Sequence, residues 1–500
     1  MDLINNLAMG FATAATSTNL AYCLIGCILG TLVGVLPGIG PATALAILLP
    51  ATYALEPTAA LIMMAGIYYG AQYGGSTTAI LINLPGENSS VVTAIDGHQM
   101  ARQGRAGVAL VLAAGGSFFA GTTATLVVAA FAKPLSSVAL TFAAPEYFSL
   151  MIVGLISAVV LASGSLVKSI GMILIGLLIG IVGIDVSSGQ QRFTFGQFSL
   201  MEGVDFVAVA IGIFGVGEII RNLATREEEP GSTTKINRLM PTREELRLAV
   251  PAVLRGSLLG SLLGLLPGGG ALIASFGAYA LEKKIAKDPS QFGKGAVQGV
   301  AGPEAANNAG AQTSFIPMLT LGLPTNVIMA MMIAVMIVHG VQPGPTMISG
   351  QPEMFWGLIA SMWIGNLILL ILNLPLVGLW VKLITIPYRV LFPAILVFAC
   401  IGIYGVDLST FDVGVMITFG LFGYICFLLD CEPAPLLLGM VLGPFLEEYL
   451  RRALFLSDGS PMVFVERPIS AGLLFIAVVM VVAVTNSAVR ATRDEALKEE

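Results

Sequence analysis

Apolar stretches of bilayer length follow one another along almost the whole chain, and they leave few folds open. Residues 107–131, 146–162, 204–220, 354–374, 411–429 and 471–486 each read as a helix that crosses a hydrocarbon core. With short segments counted, about eleven to fourteen membrane segments fit at about 20 residues per full span. The composition agrees: 56% of residues are hydrophobic, 11% are charged, and the mean hydropathy is +0.89. Backbone polar groups find no water in a bilayer, so the expected class is an all-α polytopic membrane protein. The first residues have no positively charged lead and no small-residue cleavage site, so the start reads as mature sequence and not as a signal peptide.

The residues that would carry most enzyme chemistry are missing from the sequence. There are two histidines and five cysteines, with no HExxH, CxxC or Asp-rich cluster. An intramembrane enzyme would need a metal cluster or an activated nucleophile with its base, and neither pattern occurs. No GxxxxGK[ST] is present, which argues against ATP-driven transport by this chain itself. The expectation is therefore a non-enzyme, without cofactor and without a nucleic-acid partner.

Within this apolar background, "GTLVGVLPGIGPATAL" at 30–45 interrupts a membrane-type segment with glycine and proline. A second stretch, "GSLLGLLPGGGALIAS" at 260–275, matches it at eight of sixteen positions without a gap, at an offset of 230 residues. A weaker correspondence follows each, "LINLPGENSS" at 81–90 and "TLGLPTNVIM" at 320–329. Between the halves lies a polar break, 221–255, with seven Lys or Arg, most simply cytoplasmic. The expected units are a first repeat at 1–220, a basic linker at 221–250, a second repeat at 251–469, and a terminal helix with polar tail at 470–500.

The charges orient the halves. No Lys or Arg precedes Arg102, so the "TYALEP" link at 52–57 is free of basic residues, whereas its counterpart at 282–295 carries four lysines. By the positive-inside rule equivalent loops then face opposite sides, the signature of inverted-topology repeats. Segments 20–55 and 250–281 would each enter and return as re-entrant hairpins, with PGIGP and PGGG at tips that meet near the midplane. The competing reading is that these residues only kink spanning helices and let neighbours approach.

A glycine-rich tip leaves backbone amides bare, and Pro41 suits a helix start whose first turn can face an anion. The residues that would form a neutral polar pocket for a carboxylate are Gly38, Gly40, Pro41, Asn83, Pro85, Gly86, Asn88 and Ser89 in the first half. Their counterparts in the second are Gly268, Gly269, Gly270, Pro324, Thr325 and Asn326. Two adjoining stretches, 68–83 and 302–317, are unusually small and polar; Ser76, Thr77, Thr78, Asn307, Asn308, Gln312 and Thr313 are candidates to coordinate a cation, with helix packing as the plainer alternative. Glu304 is sharper, because a carboxylate in such a segment is a functional candidate as proton carrier or cation ligand. Lys168, Asp185, Asp407, Asp412, Asp430 and Glu432 fall near expected helix ends and read as solvated. "FLEEYLRRALFLS" at 445–457 reads as an amphipathic segment on the interface.

These motifs together with "GIYYGAQYGGSTTAILINLPGENSSVVTAIDGHQMARQGRAG", "GPEAANNA" and "LTLGLPTN" resemble the large membrane subunit of the tripartite tricarboxylate transporters, over essentially the whole chain. The resemblance implies a secondary active importer of the bacterial inner membrane, a permease subunit that takes up a carboxylate by symport with sodium or protons. It further implies two partners: a small membrane subunit of about four helices, and a periplasmic binding protein that delivers the substrate. Carried onto this chain, the glycine-rich signatures are Gly34, Pro37, Gly38, Gly40 and Gly264, Pro267, Gly268, Gly270. The second departs from the first at Gly269 and Ala271, where Ile39 and Pro41 stand, so the two tips can differ in role. An elevator-type movement of paired hairpins against a scaffold is the expected mechanics, with a passive anion channel as the alternative.

Overall fold

A computed structural model describes residues 3–36, 40–83, 86–161, 165–185, 188–224, 239–266, 270–384 and 388–485. The first half contains α1 (Leu3–Ala14), α2 (Ser17–Gly34), α3 (Pro41–Leu48), α4 (Pro57–Ile82), α5 (Val91–Met100), α6 (Ala106–Ala139), α7 (Ala144–Leu161) and α8 (Leu166–Gly180). A short antiparallel ribbon follows, β1 (Gly183–Ile184) with β2 (Gln191–Arg192). Next, α9 (Phe206–Ala210) and α10 (Gly217–Ala224) are joined by a π turn into one rod. The second half contains α11 (Arg243–Leu263), α12 (Gly270–Ile285), α13 (Gln298–Thr313), α14 (Phe315–Leu321), α15 (Val327–Val338), α16 (Thr346–Gly350) and α17 (Pro352–Asn373). The chain continues with α18 (Val377–Ile384), α19 (Tyr388–Asp407), α20 (Thr410–Leu428), α21 (Ala434–Leu456), α22 (Val463–Glu466) and α23 (Pro468–Thr485). Among the described residues six helices are long and apolar enough to cross a membrane, and five shorter apolar ones accompany them. The chain is an all-α polytopic membrane protein apart from the ribbon. Helices run into both ends of the 221–250 stretch, to Ala224 and from Arg243.

Glycine spacing decides how the central helices pack. A Cβ on Gly26, Gly30 or Gly34 of α2 would lie 2.3 Å from the carbonyl oxygens of Met63, Ile67 and Ala71 of α4, respectively. Only hydrogen fits there, so the two backbones touch, as small-xxx-small packing allows. Both sets of numbers rise together, so α2 and α4 run in the same sense. Pro57, six residues before Met63, is therefore level with Leu20, six before Gly26. Between Gly34 and Pro57 the chain must double back, and α3 is the returning arm.

The second half repeats this construction. A Cβ on Gly256, Gly260 or Gly264 of α11 would meet the carbonyl oxygens of Gly302, Ala306 and Gly310 of α13 at 2.2, 2.2 and 2.3 Å. The two glycine ladders lie 230 residues apart, the offset of the motif match. Here α12 returns the chain. Thr242 and Glu245 start α11 with a capping box, the Thr242 hydroxyl accepting from the Glu245 amide at 3.1 Å and the Glu245 carboxylate from the Thr242 amide at 2.6 Å. Arg105, at the start of α6, donates to the same Glu245 at 2.7 Å.

The long partners of the two hairpins run in opposite senses. Ser76 of α4 bonds Glu304 of α13, while Ile80 and Val300 both lie against Gly97, so position 80 pairs lower on α13 than position 76 does. After each partner helix the chain crosses to the other hairpin: the turn Asn88–Ser90 packs on α12, and α15 packs on α3. A further tie joins the halves away from the hairpin turns. Asp96 of α5, fully buried, accepts at Oδ1 from the amides of Gly293, Gly295 and Ala296 at 2.9, 2.7 and 2.8 Å, and at Oδ2 from the Tyr279 hydroxyl at 3.0 Å.

Two sequence expectations change. The 445–457 stretch is not a separate interfacial helix; residues up to Leu456 are the end of α21, continuous through Pro444. Two of its charges also join a network, since Arg451 and Arg192 each bond both Asp185 and Glu447, at 2.6–3.1 Å, while Glu448 and Arg452 are exposed. Asp185 is therefore a buried member of an ion network and not a solvated helix-end residue. Lys168 does sit at a helix end, donating to the Leu429 carbonyl at the close of α20 at 2.6 Å.

Candidate substrate and coupling-ion site

The tips expected to carry the glycine signatures fall on 37–39 and 267–269, so Gly38, Gly268 and Gly269 lie outside the described residues, as does Pro85. Their flanks are described. Gly40 caps α3 with extended backbone, φ −77° and ψ 174°, and Pro41 occupies the first helical position. Gly270 opens α12, where a Cβ would meet Leu263 O at 2.5 Å.

After α4 the chain reverses at Asn83, whose φ is 58°, and folds back on the first hairpin. Gly86 wedges into the junction: a Cβ there would lie 2.5 Å from Gly75 Cα and 2.7 Å from Gly34 O. One residue on, the Glu87 carboxylate accepts from Asn307 Nδ2 at 2.7 Å, bridging the halves. Ser89 is buried, and the turn at Asn88–Ser90 leads into α5. In the second half the reversal falls on Gly322, φ 72°, and Pro324 and Thr325 follow, buried. Asn326 is committed to the α15 cap, accepting from Met329 N at 2.9 Å. The Thr325 hydroxyl, by contrast, is buried with no hydrogen-bond partner among the described residues.

The coupling candidates separate into two groups. Glu304 is 1% exposed and is held by hydroxyls from three other helices. Ser76 donates at 2.8 Å, Ser117 of α6 at 3.3 Å, and Thr93 of α5 to Oε1. Asn308 braces this shell, donating to Ser117 Oγ at 2.7 Å. Hydrogen bonds to a charged group contribute about 1.5–3 kcal/mol each, the scale needed to keep a carboxylate in so dry a place. No Lys, Arg or His among the described residues pairs with Glu304 or Glu87. Thr77, Thr78 and Thr313 turn their hydroxyls to carbonyls of their own helices, Tyr73, Gly75 and Ala309, and of the three Thr77 lines the space beside Glu304. Thr313 instead abuts Gly264 of the second hairpin. Gln312 Oε1 and Asn307 Oδ1 are buried without a partner among the described residues.

Beside Glu304 lies a cavity of about 10 Å³, room for about one water-sized species, lined by Tyr73, Ser76, Thr77, Ser117, Glu304 and Asn373 among others. Tyr73 ties its wall to α17, donating to Asn366 Oδ1 at 2.8 Å, and Asn366 in turn donates to the Phe118 carbonyl of α6 at 2.8 Å. Sequence reasoning missed Glu87, Thr93, Ser117 and Asn373. Only the unusual polarity of Glu87 beside Pro85 and Gly86 could have drawn attention; the others are single polar residues in otherwise ordinary helices.

No solved structure matches the chain. A protein of Agrobacterium vitis, described as an uncharacterized 52.8 kDa protein in the TAR-I ttuC' 3'region, is 57% identical over 500 residues, covering all of both chains. A second protein of the same organism, described as an uncharacterized protein in the TAR-II ttuC' 3'region, is 56% identical over 241 residues, which is 48% of this chain and all of the relative. Residues 20–438 match the family described as the tripartite tricarboxylate transporter TctA family, a span that holds both hairpins, the Glu304 shell and α17. With that match over most of its length, this chain belongs to the TctA family of tripartite tricarboxylate transporters.

Proposed function

We propose that this subunit imports a tricarboxylate, dicarboxylate or related organic acid across a bacterial inner membrane by symport with sodium or protons. The substrate would arrive on a periplasmic binding protein, and a small four-helix subunit would complete the membrane part. The observation that carries the reading is Glu304: a buried carboxylate with only neutral donors, at the junction of α4, α5, α6 and α13, is where a cation or proton changes the energy most. Neutralised, the junction can slide; charged and empty, it is costly to move through a bilayer.

The halves are read as inverted repeats. Support comes from the matching glycine ladders, the opposed senses of α4 and α13, and the exchange of Asn88–Ser90 and α15 between hairpins. Arg105, Glu245 and the lysines ending α12 then share the cytoplasmic face. α7 and α23 run in one sense, Ser149 beside Ser470 and Ser157 beside Met480, so α23 ends on that face too. The substrate carboxylates would lie at the starts of α3 and α12, with the Thr325 hydroxyl as a further donor. No arginine occurs in the sequence before Arg102 or between Arg255 and Arg389, the stretches that carry these groups, so high affinity is assigned to the binding protein. An elevator movement of the hairpins with α4 and α13 against the outer helices is the mechanical reading.

The test is uptake of radiolabelled carboxylates into proteoliposomes that hold both membrane subunits, with binding protein outside. Uptake should require an inward sodium or proton gradient. Equal uptake after both gradients are collapsed would replace the transporter by a channel.

A further inference from the structure

The transport reading leaves the coupling ion open, and the small cavity beside Glu304 bears on it. We propose that this cavity is a sodium site and that Asn373, the last residue of α17, supplies one of its ligands. The inference rests on the transport reading and deepens it.

Asn373 is 3% exposed and lines the cavity wall. Its Nδ2 donates to the Leu369 carbonyl at 2.9 Å. A carbonyl accepts only from the amide nitrogen, so this bond fixes the orientation and leaves Oδ1 as the free atom. That Oδ1 is buried and has no hydrogen-bond partner among the described residues. A lone acceptor of this kind is costly in a dry interior unless a donor or a cation faces it.

Part of the wall has the same chemistry, and Ile80, Leu110, Ala113 and Ala114 close the remainder. Glu304 brings one negative charge, and Ser76, Thr77 and Ser117 bring hydroxyl oxygens. Hard cations select all-oxygen sites of this type, and a single carboxylate among neutral oxygens suits a monovalent ion better than a divalent one. The volume admits about one water-sized species, which favours sodium over the larger potassium. Asn373 closes α17, so the negative end of that helix dipole is at the same wall. The ligating groups come from α4, α6, α13 and α17, so an ion here would sit where the partner helices of both hairpins meet α6 and α17.

The experiment is equilibrium binding of ²²Na⁺ to the full chain with its small membrane subunit in nanodiscs, in potassium or choline buffer of constant ionic strength. Saturable binding that potassium does not displace is expected. Glu304→Gln should abolish it, and Asn373→Ala should weaken it about tenfold or more. Asn373→Asp keeps an oxygen and adds a charge, so it should retain ²²Na⁺ and acquire displacement by calcium, which the parent lacks. That variant also decides the matter if Asn373→Ala does not accumulate. Unchanged affinity in Asn373→Ala, or no calcium displacement in Asn373→Asp, overturns the assignment of Asn373. Absence of saturable ²²Na⁺ binding in the parent overturns the site, with water as its occupant; proton-driven carboxylate uptake in the same preparation would then leave the transport reading standing.

Discussion

The two hairpins are built on one plan and held by different means. In the first, α2 and α3 carry no charged residue, and the hairpin is closed by helix contact and by Gly86 folded into its junction. In the second, Arg255 of α11 donates through Nε and an Nη to both oxygens of Glu282 of α12, each at 2.7 Å. The positions equivalent to Arg255 and Glu282, 230 residues earlier, are Ile25 and Thr52. The difference teaches which feature makes a hairpin. The glycine ladder is common to both and seats the first arm of each hairpin on its partner helix; the ion pair belongs to the one hairpin whose base carries Lys283 and Lys284.

The comparison can be broken most forcefully at the ladders. Gly30→Leu and Gly260→Leu each drive a side chain into backbone, of Ile67 and of Ala306. Both should cost on the order of 4 kcal/mol or more and abolish accumulation of folded protein, measured by fluorescence-detected size-exclusion chromatography. A large effect in one hairpin alone would end the claim of a shared plan.

Next in size is the unequal part played by the partner helices. Glu304→Gln should lower gradient-driven uptake about tenfold or more, about 1.4 kcal/mol, while the protein still elutes as a folded complex. Ser76→Ala, which removes one hydroxyl of the three, should lower it less. Equal losses would mean that α4 and α13 contribute alike.

The ion pair sharpens the contrast in stability, below the cost of filling a ladder glycine. Arg255→Met strands the Glu282 carboxylate, which is 2% exposed, while Arg255 itself is 39% exposed, so screening by water reduces the loss to about 1–3 kcal/mol. Ile25→Met in the first hairpin should cost under about 1.5 kcal/mol. Thermal unfolding followed by tryptophan fluorescence compares them.

The smallest effects lie at the two chain reversals, Asn83 and Gly322, both at positive φ. Gly322→Ala should cost about 1 kcal/mol or more, since the backbone strains and Pro343 O is 3.0 Å from the new Cβ. Asn83→Gly should change stability by only a few tenths of a kcal/mol, of either sign, in the same melts.

Much of this architecture is legible in the sequence because membranes simplify the physics. Bilayer-length apolar runs announce helices, and the breaks at PGIGP and PGGG fall where α2 gives way to α3 and α11 to α12. Glu304 stands out because a carboxylate among alanines and asparagines has little other reason to be there. Its shell does not stand out. Thr93 and Ser117 meet Glu304 across 211 and 187 residues, and no local pattern encodes a contact of that length. Asn373 is hidden differently, as one amide at the end of an apolar helix. The 445–457 stretch misleads because two of its charges, Glu447 and Arg451, answer Arg192 and Asp185 at the β1–β2 ribbon, across more than 250 residues.

Asp96 carries a consequence of another kind. Three of its four partners are main-chain amides, and every residue type except proline presents the same N–H. Mutational drift at Gly293, Gly295 and Ala296 can therefore remove this tie only by distorting the loop, by proline or by a residue that rejects φ 81° or 99°. The tie between the halves is therefore vulnerable through one side chain, that of Asp96, and otherwise through backbone shape. Loss of the Asp96 carboxylate breaks it at a stroke, and no compensating side chain on the receiving loop can replace what three amides of the backbone do.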